Sequence, residues 1–107
     1  MKAWMTILDG AMLLVGEEWD GSYPPFFKFF KTPDSPIRFQ QIMNKAFRDA
    51  GTKLPTNFES KYSVLAATVD NPFWLVRSHD FFRWARGAGF KVPSDVSKEL
   101  LKVRRSA

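Results

Sequence analysis

Four stretches of this chain carry apolar residues at intervals of three and four, and each predicts a helix. The broadest stripe is Ile7, Leu8, Ala11, Met12, Leu14 and Val15. It predicts a helix over residues 4–16 that is buried on most sides. Thr6, with Asp9 three positions later, resembles a capping box with Asp in the place of the usual Glu. Gly10 costs about 1 kcal/mol against alanine in a helix interior, so a close helix contact is expected to need its small size. Gly16 stops the helix.

The clearest helix runs from Ser35 to Gly51. Ser35 is the expected N-cap, Pro36 suits the first helical position and Gly51 is the expected residue after the C-cap. Phe39, Met43, Ala46, Phe47 and Ala50 form its apolar face, with Ile42 beside them. Arg38, Lys45, Arg48 and Asp49 fall on the polar side, read as a solvated face; the other reading takes Arg38, Lys45 and Arg48 as an extension of a basic surface.

A third helix is expected over residues 78–87, with Ser78 as N-cap, Asp80 in the first turn and Phe81, Trp84, Ala85 and Ala88 facing a core. Gly87 and Gly89 offer stops, and Pro93 keeps this helix from running into the next. The last helix is expected over residues 94–105, with Ser94 as N-cap and a narrow stripe of Val96, Leu100 and Val103.

The remaining segments read differently. Pro24-Pro25 and Pro33-Asp34-Ser35-Pro36 break regular structure around Phe26, Phe27, Phe29 and Phe30. Four phenylalanines in five positions do not fit one face of a helix or strand. They read either as a short helix wedged at the core or as an exposed aromatic platform. Residues 61–69 are mixed in propensity, Asp70-Asn71-Pro72 is a turn signal, and Phe73 to Val76 reads as a strand. A two-stranded hairpin packed on the helices is expected here. The fold class is therefore mainly α with a little β: a compact bundle of about four helices with a small two-stranded β-hairpin. Its 107 residues suit a single domain over 1–107.

Charge changes this picture. The formal net charge is +5. Residues 1–76 balance eight Lys/Arg against eight acids, whereas residues 77–107 carry eight against three. The whole excess lies in the last part of the chain. Two readings stand: a solvated surface, or a face for an acidic partner. His79, Arg83 and Arg86 share a helix face, and Arg77, Lys91, Lys98, Lys102 and Arg105 add to the charge.

Catalytic chemistry is thinly represented. There is no cysteine, which removes disulfides, thiolate metal sites and cysteine nucleophiles together. A single histidine, His79, comes with no nucleophile elbow, and Gly87-Ala88-Gly89 ends a helix, whereas a phosphate loop opens one. No cofactor, metal or enzymatic activity is expected. No apolar run approaches the roughly 20 residues of a membrane span, and the opening residues read as a structured segment, not a signal peptide. A cytoplasmic location is expected.

Both ends of the chain resemble a small uncharacterised helical module of bacterial accessory and prophage proteins. The residues that carry the likeness are Trp4, Thr6, Ala11 and Leu13-Leu14-Val15-Gly16 at the start. Towards the end they are Trp74-Leu75-Val76, Ser78, Asp80-Phe81, Trp84-Ala85, Gly89 and Val92-Pro93. The usual Asp-Pro after the first helix is replaced by Glu17-Glu18-Trp19. The resemblance implies a mostly helical module in a mobile-element setting and transfers no catalytic residue.

The expected function is a non-enzymatic binding module. It would be a phage or mobile-element protein that inhibits or adapts a host protein or nucleoprotein complex, such as an anti-CRISPR protein. Its expected contact residues are Phe26, Phe27, Phe29, Phe30, Arg77, His79, Arg83, Arg86, Lys91, Lys98, Lys102 and Arg105. The alternative is a nucleic-acid-binding protein whose basic C-terminal helices contact phosphates without base readout.

Overall fold

The first apolar stripe begins as a strand, not as a helix. In the computed structural model, which describes residues 1–16, 35–58 and 70–103, β1 spans Trp4–Thr6 and α1 spans Ile7–Leu14. Trp4 faces out and Met5 faces in, the alternation of a strand. Thr6 then caps the helix as its sequence suggested. Its Oγ1 accepts from the Asp9 N–H at 3.0 Å, and the Asp9 carboxylate accepts from the Thr6 N–H at 3.4 Å. The N–H groups of Ile7 and Leu8, which lack intrahelical partners, donate to the carbonyls of Trp74 and Pro72 at 3.0 and 2.9 Å. Thr6→Ala is expected to cost about 1 kcal/mol in a urea denaturation series.

The partner of β1 is β2, Leu75–Arg77, antiparallel in the register Trp4 to Arg77, Met5 to Val76 and Thr6 to Leu75. Among the described residues, β2 thus pairs with a segment distant in the chain; residues 61–69, the other strand of the expected hairpin, lie outside the described residues. On its other edge Leu75 exchanges two backbone hydrogen bonds with Asn57, at 2.8 and 3.0 Å. Phe73 and Trp74 precede the strand, in the turn that Asn71 organises by accepting from the Phe73 N–H through its side chain at 2.9 Å.

Helix α2 runs over Ser35–Asp49 and α3 over Ser78–Gly87; α4 runs over Ser94–Leu101. Gly51 follows α2 at φ 77°, the left-handed position that its sequence predicted. Strand β2 passes into α3 without a loop, so Arg77 occupies the cap position and Ser78 is already helical. Ser78 is not the N-cap. Its N–H continues the ladder to the Ala3 carbonyl at 2.9 Å, and its hydroxyl donates to the Lys2 carbonyl. Ser94 is likewise inside its helix, with Pro93 in the cap position. The last helix ends at Leu101, short of the expected 105, and Leu101 is 83% exposed.

Among the described residues, four helices and a two-stranded sheet form a small α+β fold around α1. Ile7, Leu8 and Ala11 have no exposed surface, and α1 packs on both α2 and α3. Phe39, Ile42, Met43 and Ala46 supply the α2 side of the core. Phe81, Phe82, Trp84 and Ala85 supply the α3 side. Phe82, absent from the expected apolar face, is fully buried and meets Phe81 edge to face at 5.3 Å. Gly10 is buried directly beneath Phe81, the close contact that its small size implied.

Candidate functional site

Where the last turn of α2 passes α3, a carboxylate is buried on an otherwise apolar stripe. Asp49 is 5% exposed and follows Ile42 and Ala46 at helical spacing. Its Oδ2 accepts from the indole Nε1–H of Trp84 at 2.8 Å and lies 3.3 Å from the Lys45 ammonium. These partners hold its carboxyl below the ordinary value of 3.8. The Trp84 hydrogen bond is the main cause, Lys45 and the charge of Lys53 assist, and burial opposes. The Asp49 carbonyl in turn accepts from the N–H groups of Thr52 and Leu54 at 3.0 and 2.9 Å, which fixes the loop that carries Lys53.

Above this buried pair lies a cleft of about 380 Å³. Lys45 enters it from α2, Lys53 from the loop, and Arg83 from α3; Asp49 and Asp80 supply two carboxylates. Pro55, Trp84 and Ala88 give it an apolar floor. The cleft therefore holds three cations against two acids. Lys45 is engaged with Asp49. Arg83 lies 3.9 Å from Asp80 with its side chain 74% exposed, a loose contact that leaves the guanidinium able to meet another carboxylate. Among the described residues that line this cleft, none forms a nucleophile–base pair. Among the described residues, no group of three or more His, Cys, Asp or Glu side chains is placed to hold a metal ion.

The expected basic face is divided by the fold. Of the expected contact residues that are described, Arg83 alone reaches this cleft. Arg77, on β2, places its guanidinium 5.0 Å from the centroid of the Trp4 ring. His79 is half-buried, not a free surface residue. Its Nε2 lies 2.8 Å from the Val103 carbonyl; because a carbonyl only accepts, Nε2 carries the proton. Arg86 donates to the Ser97 hydroxyl at 3.0 Å and, with His79, ties α3 to α4. Lys91 is exposed on the connector. Lys102 pairs with Glu99 at 3.2 Å, and Lys98 lies on a different cleft, beside Trp4. Phe26, Phe27, Phe29, Phe30 and Arg105 lie outside the described residues.

Sequence reasoning missed Lys53 and the role of Lys45, because both lie in the charge-neutral part of the chain. Asp49, read from the sequence as part of the solvated polar side of α2, is instead buried in register with Ile42 and Ala46, and an acid at that spacing is the signal that could have pointed to its lysine partners.

No family model, curated protein or solved structure matches this chain. The likeness to a bacterial accessory module rests on the quoted residues alone. Among the described residues, no helix is long and apolar enough to cross a membrane.

Proposed function

We propose that this protein is a non-enzymatic binding module that holds an acidic surface of a partner protein in the cleft between α2 and α3. It would act as an inhibitor or adaptor of the complex that bears that surface. One observation carries the reading: cations from three separate elements converge over a floor fixed by Asp49 and Trp84. Lys45, held by Asp49, loses less freedom on binding than a side chain on an open surface.

The interleaved acids favour a protein over a nucleic acid. A phosphate backbone places a negative charge at every step and is best matched by an unbroken cationic track. Here Asp49 and Asp80 interrupt the cations, and Lys102 is already paired. A folded protein surface carries both signs and can match such a pattern.

Affinity capture from bacterial lysate, with and without nuclease, tests the reading. The wild-type protein is expected to retain a discrete protein partner after nuclease. Lys53→Glu with Arg83→Glu is expected to weaken that capture about tenfold or more. Both residues are exposed, so stability should change by no more than about 0.5 kcal/mol. Arg86→Glu, outside the cleft, should retain the partner. Equal capture by the folded double variant removes the cleft from the reading, and recovery of nucleic acid alone replaces it with the phosphate-binding one.

A further inference from the structure

Helix α4 is fastened to the rest of the fold at few places. Of its eight residues, Val96 and Leu100 alone are buried. A helix of this length does not hold itself together in water, and Pro93 in the cap position gives its first turn no side-chain bond. Two side-chain bonds from α3 add to the fastening. Arg86 donates to the Ser97 hydroxyl at 3.0 Å on the exposed side, and His79 donates to the Val103 carbonyl at 2.8 Å.

The side of α4 that faces the β1–α1 segment is incompletely packed. An open cleft of about 700 Å³ lies between them, with Met5, Met12 and Leu13 on one side and Val96 on the other. Among the described residues no ion pair crosses this cleft. Asp9 is held by the Thr6 cap, Glu99 by Lys102, and Asp95 adds a third acid to the rim. The chain that leads into α4 is anchored as far as Phe90, whose N–H donates to the Ala85 carbonyl at 2.9 Å and whose ring lies 5.8 Å from that of Trp84. Lys91 to Pro93 belong to no helix or strand. We infer that α4 is a strap that opens as one unit about residues 91–93 while α1, α2 and α3 stay folded. Opening lifts Val96 and Leu100 from the core and uncovers Met5 and Met12, which are 7% and 6% exposed under the closed strap.

The test is amide hydrogen exchange of the full chain, read residue by residue by NMR at several urea concentrations below the unfolding transition. The amides of Lys98 to Val103 are expected to share one protection factor, about a hundredfold or more below those of Ala11 and Met12 in α1 and Ala85 in α3. Their exchange should respond weakly to urea, because opening the strap exposes little surface. Methionine oxidation by dilute hydrogen peroxide gives a second readout, since Met12 and the core residue Met43 are equally shielded, at 6% and 5% exposure. Leu100→Ala is expected to speed oxidation of Met5 and Met12 about tenfold or more and to leave Met43 unchanged. Arg86→Ala, a surface change that removes the bond to Ser97, should act with the same selectivity by about two- to fivefold. Three results would each overturn the inference: α4 amides with the protection and urea dependence of α1, exchange that rises gradually from Lys98 to Val103 as at a fraying end, or equal acceleration of oxidation at Met43.

Discussion

Gly10→Ala is expected to destabilise the fold by about 1–3 kcal/mol, although alanine is the better helix former by about 1 kcal/mol. The added methyl carbon would stand 2.5 Å from Cε1 of Phe81, 2.7 Å from Cζ and 2.8 Å from Cδ1. Phe81 has nowhere to go. It has no exposed surface, and its ring is bounded by Phe82 and Trp84, each with its centroid 5.3 Å away. The clash is therefore relieved only by separating α1 from α3. Urea midpoints of Gly10→Ala, Phe81→Leu and the double mutant provide the check. The smaller side chain makes room for the methyl, so the double mutant should lose less than the sum of the two singles. Additive losses would place the cost of Gly10→Ala elsewhere than at Phe81.

The second large effect is expected at Asp49. Asp49→Ala strips the buried Trp84 indole N–H of its acceptor, which costs about 1–3 kcal/mol. Asp49→Asn keeps an acceptor in place but removes the charge. The pH dependence follows from the lowered pKa of Asp49. A carboxyl whose pKa is lower in the folded chain stabilises the fold above its unfolded value, near 3.8, and that contribution is lost as pH falls through the folded value. Wild-type stability should therefore decline with acid below about pH 4, and Asp49→Asn should flatten the decline. Denaturation midpoints at several pH values between neutral and acid measure both curves. Parallel curves would show that Asp49 is not the group responsible.

Most of helix α2 was legible in the sequence, although Ser35, the expected N-cap, is already helical and Asp49 is buried. Its stripe of Phe39, Ile42, Met43 and Ala46 is long, and Gly51 marks its end. The cap of α1 was legible for a similar reason, since Thr6 and Asp9 satisfy one another within a single turn. Strand β1 was not. Three residues leave too little alternation to detect, and Trp4 to Thr6 become a strand only because Leu75 to Arg77 lie beside them. Ser78 failed as a cap because cap preference assumes a chain that turns into its helix, whereas α3 continues directly from β2; at α4 the helix begins one residue earlier than the sequence suggested, with Pro93 in the cap position. The cationic cleft was hidden by summing charge along the chain. Lys45 and Lys53 belong to a segment that balances overall, and only folding sets them beside Arg83.

The pairing of β1 with β2 also governs how the molecule can be made. Lys2 and Ser78 lie 76 positions apart and share a hydrogen bond. During synthesis, the apolar surface of α1 emerges from the ribosome first and waits for α3 to cover it. Until Arg77 and Phe81 have been translated and released from the exit tunnel, neither the sheet nor the core can close. Slow closure of distant contacts leaves that surface available to chaperones in the interval. A premature stop anywhere before β2 yields a chain that lacks part of its fold, however much of its helical sequence it retains.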